Sequence, residues 1–290
     1  MTDLAAVRRT FAEELAAARG IRAERVVNAF AAVPREEFLV AGPWLVLADA
    51  GYRSTPDADP RNLYRDVAVA IDAARVLNNG APGLLAHVFD QLEIGAGETV
   101  AHVGCAVGYY SAILAEIVGP GGRVIAIELD PELCERARRH LRRWRHVEVR
   151  HVDGAKEPRE PVDVVWVNGG VTHPQPSWLD ALRPGGRCAM PLTAVRPPSR
   201  IRRVVRDHAG RMLYLARRGA GFAARFDETC GMTALLGGRD AAIQERLRAA
   251  YQGGGASAVR SFRRDAHVEE PSCWLHLDAG CLSRREPEPA

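Results

Sequence analysis

The sequence predicts a doubly wound α/β fold on a mostly parallel sheet of seven strands, preceded by a helical cap and followed by an extension. Three observations carry this. From residue 98 short apolar runs alternate with helical ones, the signature of βαβ units whose sheet is covered on both faces. Before that point the chain opens with helical periodicity. After Gly238 it carries one more helix, a glycine-rich linker and a strand-like run. The resulting division is 1–92 for the cap and the segment leading from it, 93–238 for the sheet domain and 239–290 for the extension.

Leu4, Val7, Phe11 and Leu15 share one helical face, and a second helix carrying Val26, Val27 and Phe30 must end before Pro34, which disfavours helical geometry in the residue before it. STPDADPRN (54–62) reads as a loop, and NNGAP (78–82) as a turn into a helix, since proline is tolerated in a first helical turn. TVAHVG is the first strand of the sheet, YYSAILAEIVG its helix, RVIAIEL the second strand and PELCERARRHLRRW the second helix. VEVRHVDG and VDVVWVNGG follow as strands, SWLDALRPGG as a helix with a glycine stop, and GRCAMPL as the fifth strand. RIRRVVR and RMLYLAR, joined by DHAG, read as an antiparallel hairpin that completes the seven. AAIQERLRAAY, GGGASA and SCWLHLD are the helix, linker and strand of the extension.

Composition narrows the function. The chain has 290 residues, 47% hydrophobic and 26% charged, enough for a large buried core. No apolar run approaches the ~20 residues that cross a bilayer, and MTDLAAVRRT lacks the apolar centre of a signal peptide, so a cytoplasmic protein with no membrane partner is expected. A net charge of +3 does not announce a nucleic-acid partner. The basic runs 136–146 and 199–211 read first as a solvated helix face and an exposed hairpin. The six cysteines, at 105, 134, 188, 230, 273 and 281, include no CxxC pair and no His/Cys cluster at zinc spacing. They are expected as reduced thiols, mostly core residues, with no metal site.

HVGCAVGYYS (102–111) stands where a nucleotide loop is expected, between a strand and a helix. Gly104 and Gly108 allow a tight turn onto a helix N-terminus whose free N–H groups face a ligand. Ala106 stands where a dinucleotide fingerprint would carry glycine, which argues against a pyrophosphate and tolerates a ligand without phosphates. The second strand ends in Glu128, placed to accept from ribose hydroxyls; the competing reading is a helix-entry acid, a task that Asp130 suits better. The third strand ends in Asp153-Gly154, either an adenine contact or an ordinary Asp-Gly turn. Three such signals at successive strand ends point to an adenosine-type ligand.

These pieces, in this order, resemble the protein-L-isoaspartate (D-aspartate) O-methyltransferase family. VRRTFAEELAAARGIRAERVVNAFAAVPREEFL resembles its helical cap, with VPREEFL the most characteristic phrase, and YRDVAVAID the segment before its substrate loop. VAHVGCAVGYYSAILAEIVGPGGRVIAIELDPEL resembles its cofactor site, DVVWVNGGV its fourth strand and LDALRPGGRCAMPL its fifth strand with the preceding helix; the likeness spans roughly 5–232. The resemblance implies a Rossmann-like methyltransferase sheet and S-adenosyl-L-methionine, with Gly104, Cys105, Ala106 and Gly108 near the methionine moiety, Glu128 on the ribose, and Asp153 and Gly154 near adenine. It implies a carboxylate of a protein or peptide as acceptor. A carboxylate is already a nucleophile at neutral pH and needs no base, so the protein's task is alignment and exclusion of water.

Two departures bear on the acceptor. The family's serine, two residues before the proline that opens the helix ahead of the first strand, is replaced by Gly80 when counted back from Pro82. Asn78 and Asn79 then become the candidate acceptor-loop contacts, against the alternative of a plain Asn-Asn-Gly turn. His102 stands where the family favours glutamate, and a lone strand histidine is more often structural. Two other readings remain open. One is methylation of another nucleophile, a small molecule or an RNA base, for which the basic run 136–146 is the support and His87 or His173 the candidate base. The other is a non-catalytic cofactor-binding module.

Overall fold

The computed structural model describes residues 3–48, 51–195 and 208–287. It divides into two compact units, one formed by the chain up to His151 and one by the chain from Val152 onward.

In the first unit, α1 (Leu4–Arg19) starts at Asp3, whose Oδ1 accepts from the Ala5 N–H at 2.9 Å, and stops at Gly20 in the left-handed conformation. α2 (Glu24–Ala32) ends short of Pro34 and buries Val26, Ala29 and Phe30. Two short antiparallel pairs follow, β1 (Leu45–Ala48) with β2 (Gly51–Ser54) and β3 (Ala70–Asp72) with β4 (Leu77–Asn78). α3 (Pro82–Gln91) opens on its proline as expected. Then β5 (Thr99–Val103), α4 (Tyr109–Val118), β6 (Arg123–Glu128), α5 (Pro131–Leu141) and β7 (Val147–His151) form two βαβ units, with β5, β6 and β7 parallel in that order.

The cap shares this core. Phe30 packs on Tyr110 and Phe38 on Tyr109, with ring centroids 6.4 and 5.4 Å apart. α4 is therefore buried on almost every side, Glu116 excepted. α5 by contrast buries Leu133, Cys134, Ala137 and Leu141 and turns Arg138 and Arg139 to solvent, which makes the basic run the solvated face of a helix.

In the second unit, β8 (Val162–Val167) pairs in parallel with β9 (Leu182–Val195). β9 pairs antiparallel with β10 (His208–Arg218), and β10 with β11 (Gly221–Gly231). Three details depart from the sequence reading. The helix between β8 and β9, α6 (Pro176–Ala181), stops four residues before Gly185-Gly186 because the chain has already turned into β9 at Leu182. The described part of the expected DHAG turn is strand: His208, Ala209 and Gly210 pair with Val195, Ala194 and Thr193. The expected strand RIRRVVR lies outside the described residues, and the observed hairpin is β10–β11, turning at Gly219-Ala220.

The extension is built into this unit. α7 (Ala241–Gly253) packs on β9, where the Tyr251 hydroxyl donates to the Leu192 carbonyl at 2.7 Å. β12 (Ser261–Arg263) continues the sheet beyond β11, and β14 (Gly280–Ser283) and β13 (Cys273–Leu277) follow, all antiparallel. Trp274 nests between Phe226 and Tyr251 at 5.0 and 5.3 Å and donates its indole N–H to the Gly254 carbonyl. The expectation of no His/Cys cluster is corrected here. Cys105, Cys134, Cys188 and Cys230 are buried core thiols, but Cys273 and Cys281 stand together with His267 and His276, gathered by strand pairing that linear spacing does not reveal.

Candidate cofactor and acceptor sites

The loop after β5 is held at its root by the Gly104 and Cys105 N–H groups, which both donate to the Ile127 carbonyl at 2.9 and 3.0 Å. Gly104 (φ 77°), Ala106 (φ 49°) and Gly108 (φ 92°) are all left-handed. Alanine thus occupies the conformation that glycine would take more easily, at a cost of roughly 1–2 kcal/mol. Gly108 is required twice over, because a Cβ there would also lie 2.8 Å from Leu141 Cδ1. The close approach of α4 to α5 depends on it. His140 on α5 donates from Nδ1 to the Val107 carbonyl at 2.8 Å and so ties the two helices through the loop.

Glu128, at the end of β6, holds this loop. Its Oε2 accepts from the Ala106 N–H at 2.7 Å, and its Oε1 from the Leu129 and Asp130 N–H groups at 2.9 and 3.0 Å. Burial pushes its carboxyl up, and the three amides pull it back. A carboxylate offers about four acceptor positions, so about one remains for a ligand hydroxyl. Helix entry is served by Asp130, whose Oδ1 accepts from the Glu132 and Leu133 N–H groups while Oδ2 pairs with Arg75 at 2.5 Å. Glu128 is thereby released from that role.

Cys105 is buried, with its thiol pushed well up by burial, so it lines the loop and is not a nucleophile. His102 is also buried. It bonds Ser111 Oγ through Nδ1 at 2.8 Å, its Nε2 has no partner, and burial pushes its pKa down to about 3. It is a neutral core group.

Asn78 and Asn79 have different surroundings. Asn79 is buried, and its Oδ1 accepts from Arg35 Nη2 at 2.8 Å and from the Val69 N–H at 3.0 Å. Half-buried Asn78 donates from Nδ2 to the Tyr52 hydroxyl at 3.2 Å, and its Oδ1 accepts from the Gly80 N–H. Gly80 sits at φ 73°, so a serine restored there would strain the backbone.

Sequence reasoning missed the organiser of this loop. Arg35, from the VPREEFL phrase, is fully buried and donates to the carbonyls of Leu63, Val67 and Gly80 and to Asn79 Oδ1, at 2.7–3.2 Å. A guanidinium can be buried this way only where a ring of carbonyl acceptors replaces its water. Its sequence neighbourhood carries no signal of this task, because its acceptors lie 28 to 45 residues further along the chain.

In the second unit, Asp153 caps a short turn, its Oδ1 accepting from the Ala155 N–H at 3.0 Å, with Lys156 Nζ 3.4 Å from Oδ2. The buried Trp178 donates its indole N–H to the Gly154 carbonyl at 2.7 Å and fixes the turn. Gly237 lies against it, where a Cβ would sit 2.6 Å from Asp153 Oδ1. His173 is engaged on both ring nitrogens, by Thr172 Oγ1 at 2.9 Å and Gln175 Nε2 at 3.2 Å, and burial lowers its pKa.

Residues 7–219 match the family model for protein-L-isoaspartate(D-aspartate) O-methyltransferase. The chain belongs to this family. Among curated relatives, the protein-L-isoaspartate O-methyltransferase of Methanopyrus kandleri is 33% identical over 190 residues, 64% of this chain and 76% of the relative. That of Koribacter versatilis is 32% identical over 198 residues, 67% and 79%. A solved protein-L-isoaspartate O-methyltransferase aligns with TM-score 0.63 at 20% identity over 89% of this chain and 72% of the other. One from Plasmodium falciparum, described as a putative enzyme in complex with S-adenosyl-L-homocysteine, aligns with TM-score 0.59 at 14% identity over 79% and 97%. At those identities the structures establish the fold. Family membership makes the protein an S-adenosyl-L-methionine-dependent methyltransferase. The matched residues contain the Gly104–Gly108 loop, Glu128 and Asp153; the described strands and the α-helix beyond β10 all lie outside them.

Proposed function

We propose that the protein transfers the methyl group of S-adenosyl-L-methionine to a carboxylate on a protein or peptide, in the cytoplasm. One observation carries the cofactor half: a left-handed Gly-Cys-Ala-Val-Gly turn at the N-terminus of α4, clamped by a glutamate that keeps an acceptor position in reserve. Such a turn suits a ligand without phosphates, because the methyl of Ala106 limits how closely a bulky anion can approach the backbone. When bound, the cofactor supplies a methyl group on a sulfonium centre. Gly104, Cys105, Ala106 and Gly108 then shape the floor under its methionine part, Glu128 accepts from the ribose, and Asp153 and Gly154 serve the adenine.

The acceptor half is supported by the state of His173, one of the two candidate bases, whose ring nitrogens are both already engaged. His102 and His173 are neutral, the first buried in the core and the second bonded through both ring nitrogens. A neutral amine or hydroxyl acceptor would need a positioned base; a carboxylate does not. With Gly80 in place of a hydroxyl, Asn78 and its partner Tyr52 supply the polar contact to the acceptor. Asn79 supports them through Arg35.

The experiment is transfer of labelled methyl from S-adenosyl-L-methionine to an isoaspartyl peptide, scored as base-labile methyl ester. Label on the isoaspartyl peptide and not on its aspartyl isomer is the expected result. Base-stable label on an amine or RNA acceptor, with none on the peptide, would overturn the carboxylate reading. Cofactor binding with no transfer to any of these acceptors would make the chain a silent binding module.

A further inference from the structure

We propose that the extension carries a tetrahedral zinc site formed by His267, Cys273, His276 and Cys281. One ligand atom from each of these side chains lies within 4.8 Å of all the others. Cys273 Sγ is 3.4 Å from His267 Nε2 and 3.8 Å from His276 Nδ1. Zinc bonds of about 2.3 Å to sulfur and 2.0–2.1 Å to nitrogen at tetrahedral angles place S and N about 3.6 Å apart, so these separations bracket the geometry of a bound ion.

The backbone accounts for the convergence. Residues three apart on a regular strand, as Cys273 and His276 are, point to opposite faces. The pairing of β13 with β14 shifts register between Cys273 and Leu275, leaving Trp274 as the extra residue. That bulge returns Cys273 and His276 to one face. His276 is paired directly with Cys281 across the hairpin, which supplies the third ligand. His267 comes from the loop between β12 and β13, and that loop is tied down by Arg263, which pairs with both Asp265 and Glu270 at 2.5–2.6 Å. Ser272 Oγ donates to the same Glu270 oxygen as Arg263, and Arg285 donates to the other.

Two features favour a metal over a chance cluster of thiols and imidazoles. His267 donates from Nδ1 to the Asp265 carbonyl at 2.9 Å, with the Asp265 carboxylate 3.3 Å away, and so leaves Nε2 as the atom facing the cluster. A ligating histidine is oriented in this way by a partner on its other nitrogen. The donor set is also self-consistent: two thiolates neutralise a dication, and a set of two sulfurs and two nitrogens selects zinc among the common divalent metals. Four protein ligands close the coordination shell, so the ion fastens the hairpin to the loop and activates no water. The site lies wholly outside the residues that match the methyltransferase family model and does not depend on the proposed activity.

The test is cobalt titration of the full-length, reduced, chelator-treated protein, followed optically. One equivalent is expected to develop the visible bands of tetrahedral cobalt with a thiolate-to-cobalt charge-transfer band, and one equivalent of zinc to abolish both. The Cys273→Ser/Cys281→Ser double variant is expected to show neither. Zinc is further expected to raise the thermal midpoint of the wild type and not that of the double variant. No charge-transfer band in the wild type at stoichiometric cobalt would overturn the proposal, as would a band that persists in a folded double variant. So would a Cys273–Cys281 disulfide in protein purified without reductant and free of metal. The wild-type titration decides the question even where the variant fails to fold.

Discussion

The Gly104–Gly108 turn and the β13–β14 hairpin both bring polar atoms together, yet they are constructed in opposite ways. The turn is built from backbone conformation within one short stretch: three left-handed residues, two amides on the Ile127 carbonyl and one on Glu128. The hairpin cluster is built from side chains, and a bulge and a cross-strand register gather them from positions 267 to 281. A site made of backbone leaves its mark as glycines at fixed local spacing. A site made of side chains across a bulged pair leaves almost none, because one extra residue reverses which positions share a face.

The two regions should respond differently to mutation, and the largest contrast is in the extension. Trp274 is 6% exposed and packs between Phe226 and Tyr251. Trp274→Ala is expected to cost about 3–5 kcal/mol in chemical denaturation of the full chain while leaving the affinity for S-adenosyl-L-homocysteine unchanged. A loss below about 1 kcal/mol would mean that the extension is not part of the packed core of its unit.

A middle-sized effect belongs to the strand beneath the turn. His102 has its pKa lowered from 6.5 to about 3 by burial. Below pH 6.5 the unfolded chain therefore binds a proton that the folded chain refuses, and stability is lost progressively as pH falls from 6.5 toward 3. Between pH 7 and pH 5 this one group should remove about 2 kcal/mol. His102→Asn keeps a polar atom near Ser111 and should flatten the pH dependence by that amount, read by denaturant titration at the two pH values. An unchanged slope would show that His102 titrates normally.

The smallest effect tests the turn itself. Ala106→Gly should relieve the left-handed alanine and stabilise the protein by about 0.5–1 kcal/mol, less than the full strain because glycine also loosens the unfolded chain. A destabilised variant would mean that the alanine methyl makes a contact worth more than the strain.

Most of the fold was legible because periodicity reports burial directly. α1, α2 and the alternation from β5 through β9 follow from apolar spacing, and Pro34, Pro82 and Pro131 fix boundaries near them. What was not legible depended on partners distant in sequence. β11, β12 and β14 are short or interrupted by charged residues, and they exist because β10 offers an edge to pair with. The left-handed turn before α4 and the glutamate that faces it could be read from Gly104, Gly108 and Glu128. The task of Arg35 could not, since its acceptors come from residues 63 to 80 and nothing local marks a buried guanidinium. His267, Cys273, His276 and Cys281 match neither a CxxC pair nor a His/Cys run at zinc spacing, because strand pairing and a bulge, not linear spacing, bring them together.

The central claim is that Glu128 both clamps the turn and holds the cofactor, and calorimetric titration of S-adenosyl-L-homocysteine into the wild type and Glu128→Ala tests it most directly. The variant is expected to bind more weakly by about 1.5–3 kcal/mol, the range for a hydrogen bond to a charged group, while its fold, read by circular dichroism, stays that of the wild type. Equal affinities would contradict the claim and reduce Glu128 to an acid that only receives backbone amides.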